Sequence, residues 1–375
     1  MKRLIMCAGT AAVLLAGSAP ATATEASDRP MASASFNDTV LAVVHHAGRV
    51  YAGGEFSYAF QSGRRLERHH LAATTTDGEL TGFAPEVDGP VHALATDGRH
   101  LYAAGRFRAV DGVERRRLAR FSLDTGELDP DFTVRVDALP RALEVHGDTL
   151  YLGGDFHTVD GQPRERLAAV STDDGSLLPD FAPRFDQAVR TIDATNHRVY
   201  VGGGFTAVNG TAARNLAAVD PRDGSLVAGF APRARGVVHD LDVSGPRVYA
   251  ATGGPGGRVH AFESDGVTAW ERAADGDVAA VTVRDGVVYA GGHFTKVCEG
   301  GEVDDRGDCL GVTEERQKFM AVTTENALRA WNPHADSVMG ALTIASGDDV
   351  LVAGGDFLTF AAGTVRQRGL ALFPS

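Results

Sequence analysis

The chain has 375 residues, 43% hydrophobic and 23% charged, which excludes wholesale disorder and is far beyond a stapled mini-protein. A formal net charge of -13 disfavours broad nucleic-acid binding, because phosphate contacts need a basic surface. The 45 Gly stand against only 15 Pro with no Gly-X-Y period, so they are turn glycines, not collagen or linker.

Residues 1 to 23, MKRLIMCAGTAAVLLAGSAPATA, give a short basic start, an apolar run and small residues ending Ala21-Thr22-Ala23. This is the pattern of a secretory signal peptide with cleavage after Ala23, and the run is shorter than the roughly 20 residues a membrane span needs. Losing Lys2 and Arg3 takes the charge from -13 to -15, and no later segment could cross a bilayer as a helix. A secreted, extracellular, monomeric protein is expected, with residues 24 to 375 as a single domain because no linker interrupts the period of that stretch.

Residues 24 to 375 are built on a repeat. An aromatic-small-Gly-Gly-x-Phe pattern recurs as YAGGEF at 51, YAAGRF at 102, YLGGDF at 151, YVGGGF at 200 and YAGGHF at 289, with variants YAATGG at 249 and VAGGDF at 352. The steps from Tyr51 to Val352 are 51, 49, 49, 49, 40 and 63 residues. A second marker, with aromatics Phe83, Phe132, Phe181, Phe230, Trp270 and Trp331, steps by 49, 49, 49, 40 and 61. Two markers thus report one period. Within a repeat, alternating and β-branched runs are separated by hairpin pairs such as Asp77-Gly78, Asp174-Gly175, Asp223-Gly224 and Asp265-Gly266. Four strands per unit of about 50 residues describe an all-β chain, a seven-bladed β-propeller with four-stranded blades. The last copy ends at RGLALFPS without a fourth strand, and Met31 to Ser35 lie where one is missing, so the N-terminal strand is expected to close the C-terminal blade.

The sixth repeat carries an insertion over 297 to 318, KVCEGGEVDDRGDCLGV at its centre. Cys298 and Cys309 are the only cysteines outside the signal segment, and a secreted setting favours a disulfide over two free thiols. Asp304, Asp305 and Asp308 crowd carboxylates between them; calcium is one reading and a solvated acidic loop the other, since the spacing does not fit an EF-hand. The tripeptide Arg306-Gly307-Asp308 is read as chance.

Aligned on the repeat tyrosine, the residues eight before it are Val43, Leu94, Leu143, Ile192, Leu241, Val281 and, with a one-residue gap, Leu342. Ten before it stand Leu41, His92, Arg141, Arg190, His239, Ala279 and Gly340. His92, Arg141, Arg190 and His239 therefore fall near the start of four consecutive inner strands and form the candidate ligand-binding set, at the mouth of the central funnel. Loops rich in arginine (Arg64, Arg65, Arg115, Arg116, Arg117, Arg164, Arg166, Arg214, Arg316, Arg366, Arg368) share that face. They could make it locally basic, or pair with Glu55, Asp111, Asp155, Asp160 and Asp356 inside the repeat. The pairs His45-His46 and His69-His70 are poor metal sites, because neighbours in a strand face opposite ways.

The succession YxGGxF, then Asp-Gly or Asn-Gly, then Arg, Leu-Ala and DFxP, over about residues 36 to 373, resembles the delta-60 repeat family of secreted bacterial β-propellers. The fifth repeat, RVYAATGGPGGRVHAFESDGVTAWE, looks instead like a repeat of the pyrroloquinoline-quinone-like propellers. The resemblance implies a fold and an extracellular setting, and no catalytic residues. No Gly-x-Ser-x-Gly elbow, His-Glu-x-x-His or phosphate-loop lysine is found. The expected function is non-enzymatic binding of an extracellular anionic polymer, glycan or protein, with no cofactor. The alternative is a secreted hydrolase or lyase using His92 or His239 as base, for which Asp240 is the acidic neighbour visible in the series and should face away from His239.

Overall fold

Alternating small and β-branched residues flanked by tight turns build strands throughout. The computed structural model describes residues 25 to 375, and the signal-peptide reading lies outside them. Among the described residues there are seven principal antiparallel sheets and no helix. The first holds Val40–His46, Arg49–Gly54 and Leu71–Thr75, in that order, and the seventh Ala341–Ser346, Val350–Gly355 and Leu370–Pro374. The first strand of each sheet lies beside the first strand of the next, and that of the seventh lies beside that of the first.

The two sequence markers meet in the first six sheets. The repeat tyrosine and the marker aromatic pack together as Tyr51–Phe83, Tyr102–Phe132, Tyr151–Phe181, Tyr200–Phe230, Tyr249–Trp270 and Tyr289–Trp331, with ring centroids 5.1 to 6.0 Å apart. Most are edge-to-face, the geometry the ring quadrupoles favour, worth about 1 kcal/mol a pair beyond burial. The first Gly of each Gly-Gly is a close approach. A methyl at Gly53 would overlap Val91, at Gly153 Val189, and at Gly354 Val40.

A full fourth strand forms only in the fifth sheet, which runs Val237–Ser244, Arg247–Gly253, Arg258–Phe262 and Thr268–Ala273. Elsewhere the fourth position is held by single bridges, Thr74 to Leu80, Phe121 to Leu128, Val170 to Leu177, Val219 to Leu226 and Val322 to Leu328. The reason is in the marker: Pro85, Pro130, Pro179, Pro232 and Pro333 lie in it or beside it, whereas AWERAA has none. Proline cannot donate to a ladder and ends it.

The N-terminal segment runs along the last strand, Ser27 N donating to Pro374 O at 2.7 Å and Met31 N to Leu372 O at 2.9 Å. Trp331 Nε1 donates to Ser27 O at 2.9 Å, and Ala26 N donates to the Tyr289 hydroxyl at 3.0 Å. Phe36 is fully buried, 4.3 Å from the Phe56 ring centroid, in a cluster shared by the first and last sheets. Truncating it to Ala should cost about 3 kcal/mol. Deleting residues 25 to 36 should lower the melting temperature more than Phe36→Ala does; unchanged thermal unfolding of the deletion would show that the segment is ornamental.

Candidate functional site

Each innermost strand is out of register at one residue, a β-bulge between Val40 and Ala42, Val91 and Ala93, Pro140 and Ala142, Val189 and Thr191, Val238 and Asp240, Val278 and Ala280, and Ala341 and Thr343. The skipped residues are Leu41, His92, Arg141, Arg190, His239, Ala279 and Leu342. All four predicted ligand residues are therefore bulge residues, which leave the ladder and re-aim their side chains. The last repeat needs a correction: Ile344 pairs with Ala353 and Leu342 sits at the bulge, so no gap exists and Gly340 is not part of the series. Both Leu342 and Ile344 are apolar, so residue type alone does not separate the two alignments.

The four side chains form one chain of neighbours. Arg141 binds Asp155 bidentately, Nε to Oδ1 at 3.0 Å and Nη2 to Oδ2 at 2.8 Å, with about a third of each side chain exposed. Arg190 Nη1 donates to His239 Nδ1 at 3.0 Å. Because a guanidinium only donates, Nδ1 must be the acceptor and the imidazole proton sits on Nε2. Burial first, then the Arg190 charge, lowers the His239 pKa and keeps the ring neutral; Asp277 opposes weakly. His92 is held by its Nδ1 against Pro90 O at 3.3 Å, and burial with Arg106 and Arg141 nearby lowers its pKa also. Arg190 is exposed, yet as a cation it is destabilised by partial loss of solvent around its guanidinium and by Arg141. Such stress is what an incoming anion would relieve.

Asp240 does turn away from His239. Its Oδ2 accepts Val281 N at 3.0 Å and its Oδ1 accepts Leu241 N at 3.0 Å. The acid beside His239 is Asp277, from the next sheet: a methyl at Gly253 would strike both the imidazole Nε2 and the Asp277 carboxylate. Asp277 is invisible in the aligned series because it lies two residues before the bulge of the following repeat.

The arginine-rich loops resolve differently from either expectation. Arg115, Arg164 and Arg316 are buried, and their guanidinium groups cap backbone carbonyls. Asp111 and Asp160 accept the backbone N–H of Glu86 and Arg135 at 2.7 and 2.8 Å, and Asp155 is occupied by Arg141. Arg64, Arg65, Arg116, Arg214, Arg366 and Arg368 remain exposed. Fewer arginines are therefore open to solvent there than the sequence offers, and Arg116 among them is paired with Glu114.

Cys298 and Cys309 are bridged, with Cα atoms 5.3 Å apart. Inside that loop Asp304 Oδ1 accepts the N–H of Arg306 and Asp308 at 2.8 and 3.0 Å, closing a turn. Among the described residues no group of three or more His, Cys, Asp or Glu could hold a metal ion, Asp304, Asp305 and Asp308 included. His45 and His46 point to opposite neighbours, one ring against Gly347 and the other near Gly98.

A second set of residues escaped sequence reading. Seven before the repeat tyrosine stand Glu144, Asp193 and Asp242 in the third to fifth repeats. Asp193 Oδ2 accepts Val243 N at 2.7 Å and Asp242 Oδ2 accepts Val283 N at 3.0 Å. Each carboxylate thus staples the inner edge of the following sheet, where backbone N–H groups have no strand to bond. Burial pushes all of them up: Asp193 and Asp240 to about 7, Asp242 less far, and Glu144 strongly, helped by its like-charged neighbour Asp193. The signal was present as an acidic column in three consecutive repeats.

Two family models match. One, described as outer membrane protein assembly factor BamB, covers residues 212–374, well beyond the fifth repeat alone. The other, a domain of unknown function described as a beta-propeller, covers residues 97–132. No curated protein matches the chain. Among solved structures, the WD40 β-propeller domain of Doa1 is similar at 10% identity and a TM-score of 0.61, covering 94% of this chain and 97% of that one. The computationally designed Ika8 protein is similar at 12% identity and a TM-score of 0.52, covering 94% and 100%. Likeness at such identities shows the fold, an all-β propeller.

The raised carboxyls make stability depend on pH. Each binds a proton more tightly folded than unfolded, so its contribution is full below the unfolded value near 4 and is lost as pH rises through about 7. His260, lowered to about 4 by burial, acts with the opposite sign but only below its unfolded value near 6.5. Between pH 6.5 and 8.5 the carboxyls act alone among these groups, and unfolding free energy should fall by roughly 1 kcal/mol for each. Denaturant titrations of Asp240→Asn should show a shallower fall than the parent; parallel curves would remove Asp240 from the account.

Proposed function

We propose that this chain is a secreted, monomeric, seven-bladed propeller of the delta-60 repeat type, closed into a ring by its N-terminal segment, that binds an anionic extracellular polymer or glycan at its axial mouth without catalysis. The observation that carries the reading is the exposed Arg190. Among the described residues it makes no ion pair, and it leans on a neutral histidine while a second guanidinium, Arg141, stands nearby. The unpaired planar fork of Arg190 suits a carboxylate or sulfate, Arg141 adds a second guanidinium beside it although paired with Asp155, and partly excluded solvent strengthens the attraction. The bridged loop and the ordered N-terminal segment are compatible with an extracellular life.

The second reading, a hydrolase or lyase in the same funnel, draws support from Asp277 beside His239, since an acid can orient an imidazole base. It requires a substrate that His239→Ala no longer turns over.

Binding of polygalacturonate, with neutral dextran as control, tests the first reading. The parent should bind polygalacturonate, less tightly as salt rises. Arg141→Ala combined with Arg190→Ala should weaken it at least tenfold with the melting temperature within a few degrees. Equal binding by both proteins, or binding of dextran as tight as that of polygalacturonate, would overturn the site.

A further inference from the structure

One arginine position recurs through the repeats as a plug. Arg68 donates from Nη2 to Thr81 O at 2.9 Å, Arg115 to Asp129 O and Pro130 O at 3.0 and 2.9 Å, Arg164 to Leu178 O and Pro179 O at 3.1 and 3.3 Å, and Arg316 to Arg329 O at 2.8 Å. In each case the guanidinium fills the space between the outer hairpin and the segment leading to the marker aromatic. In the fourth repeat, 49 residues after Arg164, the position is Ala213. A cleft of 970 Å³ opens there, lined by Ala213, Val227 and Ala228 where a plug and its carbonyls would be, and walled by Thr268 and Glu271 of the fifth sheet's fourth strand.

The floor and rim differ in chemistry. Leu226, Phe230 and Pro232 give an apolar floor, while Arg214, Arg233 and Arg235 stand at the rim, all three exposed. Glu271 is the acid lining the cleft, and it is shared: Arg235 approaches it at 3.5 Å, Arg258 at 3.7 Å, and the buried His260 ring at 3.5 Å. Two guanidinium groups therefore approach the one lining carboxylate, and Arg214 and Arg233 line the cleft besides, a local excess of positive charge in a chain whose net charge is -13. Val227 O accepts the Phe230 N–H at 3.1 Å, so one of the two carbonyls a plug would cap is already bonded, and the surplus of arginines outweighs the dipole of the other.

We infer that this cleft between the fourth and fifth sheets is a binding site for a small amphipathic organic anion. Its apolar body lies on Phe230, Pro232 and Leu226 where the missing side chain would have been, and its carboxylate or phosphate is taken by Arg233 and Arg235. The volume is that of a drug-sized ligand site, and a few convergent charges over an apolar floor are its usual make-up. The site is separate from the axial mouth, being built from outer strands and not from inner-strand bulges.

Calorimetric titration with 4-phenylbutyrate tests it, beside the neutral 4-phenylbutyramide and the cationic benzylguanidine. The carboxylate should bind at least tenfold more tightly than the amide, and benzylguanidine not measurably. Ala213→Arg restores the residue that four of the other repeats carry, so it should fold with a melting temperature near the parent's and lose 4-phenylbutyrate binding at least tenfold. If that variant misfolds, Arg233→Ala with Arg235→Ala carries the test, since both side chains are exposed; the same tenfold loss is expected. The proposal is overturned if the parent does not bind, if amide or benzylguanidine binds as well as the carboxylate, or if a folded variant retains parental affinity.

Discussion

Neighbouring sheets approach so closely at their inner strands that a single methyl cannot be inserted. Gly53 faces Val91, Gly153 faces Val189, Gly202 faces Val238 and Gly354 faces Val40, each glycine lying where any side chain would meet the next sheet's valine. A chain that must bring backbone against side chain in this way needs glycine in the second strand of nearly every unit, and that need writes the Gly-Gly into the sequence. The approach also fixes the ring of packed tyrosines and marker aromatics behind it, because the distance between sheets is set before those rings meet. Beside the second glycine of each pair the inner strand bulges, and the bulge residue is turned out of the ladder. The candidate ligand residues owe their positions to a packing constraint several residues away from them.

The same geometry leaves donors unsatisfied at the axis. An inner strand bonds its own sheet on one side only, so its other edge presents N–H groups with no strand partner. Asp193, Asp240 and Asp242 meet this by reaching across to Val243, Val281 and Val283. All three are half-buried, and the desolvation of their carboxyl groups raises their pKa values and couples the sheets to pH. A carboxylate accepting one or two N–H groups is a stronger tie than a water would be. Crowding several of them sets a limit, because Glu144, Asp193 and Asp242 repel one another when all are ionised.

How much of this could be read from residues alone depends on whether the cause was local. The repeat and its two aromatic markers were legible because sheet packing repeats with the chain. The bulge position was legible as a column ten residues before the tyrosine, without the knowledge that it was a bulge. The missing fourth strands were not, although Pro85, Pro130 and Pro179 spelled the reason. Charge partners were the least legible, because they join different repeats or go to backbone: Asp277 reaches His239 from the following sheet, and Arg115 and Arg164 choose carbonyls over the carboxylates that sequence proximity offered.

In a repeated architecture the informative residues are those that break the repeat without a packing reason. Gly-Gly and the tyrosine recur because nearly every sheet has the same neighbour problem, the plugging arginine recurs in four of them, and their recurrence is itself the explanation. Ala213 in place of the arginine and Arg190 beside a neutral histidine have no such explanation, and the one proline-free marker, which lets a fourth strand form, belongs to the fifth sheet. All three fall in the fourth and fifth repeats, where the acidic inner-edge column is also concentrated. At Ala213 the backbone takes over one carbonyl, Phe230 N donating to Val227 O at 3.1 Å, but the volume of the missing guanidinium stays open, a cost that stability alone gives no reason to carry. The departures thus place the asymmetry of an otherwise uniform molecule along one side, from the axial mouth to the outer cleft.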